Sequence, residues 1–170
     1  IDWVLTTPLM LLKFPLMLGI GEKGKSFMIR LVTLDLVMVL AGYFGELYPA
    51  SPLIHNGLFL VGCAAWLGIL WMMFHALSTL PDYVANSVRQ GVRTMGFFMF
   101  LGWAIYPAGY MAPALGVPAD VRELVYNFAD LFNKVGLCVL VYVTARRADA
   151  EIQQYDGAPA ATYTDEQVTA

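Results

Sequence analysis

The sequence predicts an all-α membrane protein. Hydrophobic residues make up 59% of the chain and charged residues only 14%, and the mean hydropathy is +0.63. Soluble domains carry roughly 25% charged residues, so this balance disfavours that class. Several apolar stretches approach the roughly 20 residues that a helix needs to cross a bilayer. They are apolar on all sides, without the period-2 alternation of a transmembrane barrel, which favours helices.

Five membrane spans are predicted, at approximately residues 1–18, 28–47, 57–77, 95–111 and 122–145. The first begins at Ile1, has Asp2 at its second position and has no basic region before it, so it does not resemble a signal peptide. We therefore expect upstream elements to be missing from this sequence. A transmembrane helical bundle is predicted over residues 1–147. Residues 148–170 are acidic, small and polar, which predicts a disordered cytoplasmic tail.

The loops indicate the orientation of the spans. Basic residues follow the first span, precede the fourth and follow the fifth: Lys23, Lys25, Arg30, Arg89, Arg93, Arg146 and Arg147. These three positions lie on one side of the membrane, and the positive-inside rule makes that side cytoplasmic. The prediction is a multi-pass protein of the cell (inner) membrane with a cytoplasmic C-terminus.

Asp130 and Lys134 are ionisable residues within the fifth span, where such residues usually have a function. Their i, i+4 spacing places them on one helical face. A structural ion pair is one interpretation. The other is that burial favours the neutral amine of Lys134, which forms a Schiff base with an aldehyde. Asp130, one turn away, would then be the carboxylate that balances the buried cation.

Asp2, Thr6 and Lys13 share a face of the first span, because a separation of 11 residues returns to within about 20° of the starting direction. Asp2 and Lys13 are nevertheless roughly 16 Å apart along the axis, too far for a salt bridge. An acid, a hydroxyl and a base in this order match a stepwise proton path. The alternative is a polar stripe whose hydrogen bonds are made by other helices.

Aromatic residues occupy one face of the fourth span, at positions Trp103, Tyr106 and Tyr110, beside Pro107, which distorts the helix. Aromatics at helical spacing are usually core residues. Together with Trp3 and Trp66, they are also suited to line a slot for a long, flat, apolar ligand that ends at a lysine.

Four segments, DWVLTTPLMLLK, LDLVMVLAGYFGE, GWAIYPAGY and YNFADLFNKVG, resemble the microbial (type 1) rhodopsins in order and topology. The resemblance covers most of residues 1–147 and corresponds to the third to seventh helices of that family. It implies a seven-transmembrane-helix rhodopsin bundle of which five helices are present, holding all-trans retinal. No metal site is expected.

The resemblance also implies roles for individual residues. Lys134 matches the lysine that binds retinal covalently, and Asp2 and Asp130 match the two counterions. Asp2 matches the primary proton acceptor as well, and Thr6 matches a hydroxyl near it. The remaining pocket positions match Trp3, Thr7, Met10, Met38, Gly42, Trp103, Tyr106 and Tyr110. Thr7 is further expected to hydrogen-bond Asp35 on the neighbouring helix.

Lys13 stands where the proton pumps of the family usually place Asp or Glu. The set Asp2, Thr6 and Lys13 resembles the less common lysine-donor pumps, such as Exiguobacterium rhodopsin. It implies a light-driven outward proton pump, an ion transporter rather than an enzyme, whose partners are retinal, protons and the lipid bilayer. Nucleic acid is not an expected partner, and the oligomeric state stays open. Arg122 occupies the position of a frequent release-group glutamate, with Glu123 beside it.

Two other classes of function stay open. A sensory rhodopsin would use the same pocket and signal to a transducer. A membrane transporter without a chromophore would need neither Lys134 nor the aromatic slot.

Overall fold

The protein is an all-helical bundle, as the sequence predicts. The computed structural model describes residues 2–18, 21–80 and 84–156. Its elements are α1 (Asp2–Leu18), α2 (Gly21–Leu47), α3 (Pro52–Ser78), α4 (Asn86–Trp103), α5 (Ile105–Met111), a 3-10 turn (Ala112–Leu115) and α6 (Ala119–Asp156). Ile1, the first residue of the first predicted span, lies outside the described residues.

The five predicted spans correspond to α1, α2, α3, the pair α4 and α5, and α6. Within the described residues, three stretches are long and apolar enough to cross a membrane by length and composition alone, at 24–47, 52–78 and 119–154. The other two predicted spans are shorter or interrupted: helix α1 has 17 residues, and the fourth span is divided at Ala104. Helices α2, α3, α4 and α6 begin earlier than predicted, α4 at Asn86 rather than 95. Helical hydrogen bonds are internal, so polar flanking residues can extend a helix beyond its apolar stretch.

Helix α6 continues to Asp156, so the predicted tail boundary after Arg147 is wrong for residues 148–156. Contacts with α4 explain the extension. Ala148 is buried, and the Glu151 carboxylate accepts hydrogen bonds from the backbone N–H groups of Asn86 (3.0 Å) and Ser87 (2.9 Å). Glu151 thereby caps the first turn of α4 from a distant helix. The rest of the predicted tail, residues 157–170, lies outside the described residues.

The helices alternate in direction, so the bundle has two distinct ends. The Asp2 end contains the starts of α1, α3 and α6, and the Arg146 end contains the starts of α2 and α4. Helix α1 packs against α2, α4 and α6, and α4 also packs against α3 and α6. The core is dominated by apolar side chains nearer the Arg146 end, including Leu11, Phe14, Leu31, Met73, Val92 and Leu137. Large apolar side chains cover much of the outer surface, as expected for a surface that faces lipid.

Candidate functional site

Lys134 lies at the centre of an ionic cluster that joins α1 to α6. Its Nζ donates to the Asp2 carboxylate and to Asp130 Oδ2, the latter at 3.3 Å. Asp2 therefore pairs with the lysine of α6, and not with Lys13 of its own helix. This agrees with the prediction that Asp2 and Lys13 are too far apart to neutralise each other.

Asp130 receives two further hydrogen bonds from aromatic side chains. Trp3 Nε1 donates to Oδ2 at 2.9 Å, and the Tyr106 hydroxyl donates to Oδ1 at 2.5 Å. Burying a carboxylate is costly unless donors compensate for the lost water, and here Trp3, Tyr106 and Lys134 do so. The contacts connect α1, α5 and α6, so the cluster also fixes the relative positions of these helices.

Asn133 is a site residue that the sequence analysis missed. Its side chain is buried, and Nδ2 donates to the Gly102 carbonyl at 3.0 Å and to the Tyr106 hydroxyl at 3.3 Å. A Cβ on Gly102 would collide with Asn133 Oδ1, so this glycine permits the close approach. The signal in the sequence was an amide directly before an ionisable residue within an apolar span.

A cavity of about 870 Å³ lies beside this cluster. It brings together the predicted pocket residues Asp2, Trp3, Thr7, Met10, Met38, Gly42, Trp103, Tyr106, Tyr110, Asp130 and Lys134. Thr6 and Lys13 do not line it. The break between α4 and α5 at Ala104 separates Trp103 from Tyr106, and both rings face the cavity.

Further aromatic side chains complete the wall. Tyr126 donates its hydroxyl to the Tyr106 carbonyl at 2.9 Å, and its ring lies 5.9 Å from that of Trp3. Phe59 stacks on Tyr110 with ring centroids 4.8 Å apart. Tyr126 was recognisable in the sequence, because it precedes Asp130 and Lys134 by four and eight residues on the same helical face.

The predicted hydrogen bond between Thr7 and Asp35 is present. Thr7 Oγ1 lies 2.8 Å from Asp35 Oδ2 on α2 and 2.8 Å from the Trp3 carbonyl one turn earlier. Asp35 is fully buried, and its other carboxyl oxygen has no hydrogen-bond partner among the described residues. This contact ties α1 to α2 beside the cavity.

Asp2, Thr6 and Lys13, the residues of the predicted stepwise proton path, are not joined by direct side-chain hydrogen bonds within the described part of the chain. The Thr6 hydroxyl donates to the backbone carbonyl of Asp2 at 2.9 Å, so its hydrogen bond stays within α1. Lys13 lies about 16 Å from Asp2 along the helix axis, and its Nζ donates to Cys138 Sγ at 3.0 Å. A hydroxyl in a helix can always reach the carbonyl one turn before it, and that local bond is the one Thr6 makes.

The mouth of the cavity at the Asp2 end is crossed by polar contacts. Arg122 Nη1 pairs with Glu46 at 3.1 Å, which joins α6 to α2. The Tyr110 hydroxyl lies 3.0 Å from His55 Nδ1 and 3.1 Å from the His55 carbonyl. Arg122, Glu123 and Glu46 all line the cavity, so its outer end is charged while its walls are apolar and aromatic.

Comparisons with known proteins agree with this geometry. The profile of the bacteriorhodopsin-like protein family matches residues 1–148. Green-light absorbing proteorhodopsin from Gamma-proteobacterium EBAC31A08 is 32% identical over 150 residues, covering 85% of this chain. Sensory rhodopsin-2 from Haloarcula vallismortis is 27% identical over 144 residues, or 82% of this chain.

Among solved structures, Exiguobacterium sibiricum rhodopsin superposes with a TM-score of 0.79 at 35% identity, over 88% of this chain and 70% of that chain. The chain spans 59% of the length of the proteorhodopsin and of the sensory rhodopsin.

Proposed function

This chain belongs to the bacteriorhodopsin-like protein family, and from that premise we propose that it is the retinal-binding part of a light-driven outward proton pump. Members of the family are light-driven pumps or photoreceptors rather than enzymes. The observation that carries the proposal is the position of Lys134, between two carboxylates in the wall of an apolar, aromatic cavity. The similarity to proteorhodopsin and to Exiguobacterium sibiricum rhodopsin supports it.

The cavity suits all-trans retinal in the chemistry of its lining. Its walls are mainly apolar and aromatic, its volume is about 870 Å³, and Lys134 contributes a primary amine to its lining. Trp3, Trp103, Tyr106 and Tyr110 would hold the polyene, and Lys134 Nζ would form the covalent bond. When bound, retinal supplies the light-driven isomerisation that reorients the proton on the Lys134 nitrogen.

The environment of the two carboxylates favours Asp2 as the proton acceptor. Asp130 accepts hydrogen bonds from Trp3, Tyr106 and Lys134 and its side chain is only 20% exposed, whereas Asp2 accepts from Lys134 alone among the described residues and is 60% exposed. Three donors hold the Asp130 carboxylate in place, whereas Asp2 keeps acceptor sites that no described residue occupies. Asp130 then remains the fixed counterion, while Asp2 takes the proton and lies near the cavity mouth.

Lys13 is suited to return a proton to the Lys134 nitrogen from the opposite side. It lies toward the Arg146 end, where Lys25, Arg30 and Arg93 also lie. By the positive-inside rule that end and the C-terminus are cytoplasmic, so transport is outward. Pro15 has no N–H to bond the Leu11 carbonyl, and that free carbonyl can bind a water beside Lys13. Lys13 passes a proton to the Lys134 nitrogen and regains one from the cytoplasm, which couples uptake to transfer.

A sensory function is the second candidate, because sensory rhodopsin-2 from Haloarcula vallismortis is also similar. A photoreceptor would signal to a transducer without net transport. Cells that carry the full-length protein should acidify their medium during sustained illumination if it is a pump. The absence of acidification, with a normal visible pigment, would favour the sensory function.

Two substitutions in the full-length protein test the residue roles. Lys134→Ala should give no visible pigment after retinal is added, and a normal pigment would overturn the covalent assignment. Lys13→Ala should keep the colour and slow reprotonation of the Lys134 nitrogen by about 100-fold, as expected for loss of a general acid. Lys25→Ala removes an exposed lysine of α2 and is the matched control. Parental recovery in Lys13→Ala at neutral and mildly alkaline pH would exclude Lys13 as donor.

A further inference from the structure

Lys13 and Cys138 form a hydrogen bond outside the cavity, and neither residue lines it. Lys13 Nζ lies 3.0 Å from Cys138 Sγ, and this bond bridges α1 and α6. It is the one hydrogen bond of the Lys13 side chain among the residues that the structure describes. The residues next to Lys13 on α1 are Leu12 and Phe14, which are apolar. A lysine ammonium has three donors and no acceptor, so the sulfur is the contact that directs this flexible side chain.

Cys138 also has a fixed relation to Lys134. It follows Lys134 by four residues on α6, so the two lie on the same face about 6 Å apart along the axis. Both line a surface groove of about 430 Å³ together with Val135, Val139 and Tyr142. The thiol thus holds the Lys13 head group against α6, one helical turn from the backbone position of Lys134.

We propose that Cys138 is a positioning residue for proton return, acting by holding Lys13 toward Lys134. The inference rests on the proposed function, because it assumes that Lys13 is the donor. In this step the N–H bond at Lys13 Nζ breaks and an N–H bond forms at the Lys134 nitrogen, while the thiol neither gains nor loses a proton. Without the sulfur, Lys13 occupies more rotamers and points along α6 for a smaller fraction of the time.

The test uses the full-length, retinal-loaded protein and follows reprotonation by flash-induced absorbance changes. Cys138→Ala should slow reprotonation roughly three- to tenfold, the loss expected for one weak hydrogen bond, and leave the visible spectrum unchanged. Cys138→Ser restores an acceptor at the same place and should recover most of the rate. Val139→Ala, in the same groove, removes apolar atoms without removing an acceptor and should retain the parental rate.

A double substitution separates positioning from a general structural effect. If Cys138 acts through Lys13, Cys138→Ala should cause no further slowing in a Lys13→Met background. Equal slowing in both backgrounds would overturn the inference. So would a parental rate in Cys138→Ala while Lys13→Met alone is slow. If Lys13→Met is itself not slow, the donor assignment fails and the inference fails with it. Should Cys138→Ala form no pigment, Cys138→Val, which also lacks the sulfur acceptor, replaces it.

Discussion

Removal of the Tyr106 hydroxyl should weaken the bundle through its effect on Asp130. The hydroxyl donates to Asp130 Oδ1 at 2.5 Å and accepts from Asn133 Nδ2 at 3.3 Å. Tyr106→Phe removes one oxygen and keeps the ring that lines the cavity. Asn133 keeps its bond to the Gly102 carbonyl, so the main loss is one donor to the Asp130 carboxylate.

The size of the effect follows from the kind of hydrogen bond. Side-chain hydrogen bonds between membrane helices contribute about 0.6 kcal/mol on average. A bond to a charged group is roughly twice as strong as a neutral one, so the expected loss is about 1–2 kcal/mol. For a protein of this size, that corresponds to a thermal midpoint lower by roughly 2–8 °C.

The assay is thermal loss of visible absorption from the retinal-loaded, full-length protein. Tyr142→Phe is the control, because Tyr142 is exposed on α6 and its hydroxyl has no hydrogen-bond partner within the described part of the chain. A double-mutant cycle with Asp130→Asn isolates the interaction between Tyr106 and Asp130, since the effect of Tyr106→Phe should be much smaller once the carboxylate is replaced by a neutral amide. A midpoint equal to that of Tyr142→Phe, or an effect of the same size in the Asp130→Asn background, would refute this reasoning.

Three further predictions test other contacts. Asp2→Asn removes the charge of the proposed proton acceptor beside Lys134. The pigment should absorb at longer wavelength and flash-induced deprotonation of the Lys134 nitrogen should stop, whereas an unchanged spectrum contradicts the assignment. Gly91→Ala places a Cβ against Thr144 and should cost about 1–3 kcal/mol of stability. The control is Gly57→Ala, where a Cβ has no atom within 4 Å, and it should stabilise by up to about 1 kcal/mol. Equal thermal midpoints for the two variants would contradict the close packing of Gly91 against Thr144. Glu151→Gln weakens the cap of α4, so amide exchange in its first turn should accelerate, and unchanged exchange would contradict the cap.

Relations within one helix were predictable for the candidate site. The spacing of Asp130 and Lys134 placed them together, and the 11-residue separation excluded a bond between Asp2 and Lys13. The resemblance to microbial rhodopsins identified the Thr7 and Asp35 pair. The hydrogen-bond partner of Thr6 was not predictable in this way. Its position on a helical face does not tell whether the hydroxyl bonds across the bundle or to the backbone of its own helix.

The sequence by itself determined that the chain is helical, that it is built for a membrane, and which residues share a helical face. These properties depend on composition and on the constant rise and rotation of a helix. Only the tertiary structure decided that Asn133 contacts Gly102 and Tyr106, that Lys13 bonds Cys138, and that α6 continues past Arg147 to cap α4. Each of these contacts joins residues of different helices, and the rotation and depth of one helix against another are set by packing of the whole bundle.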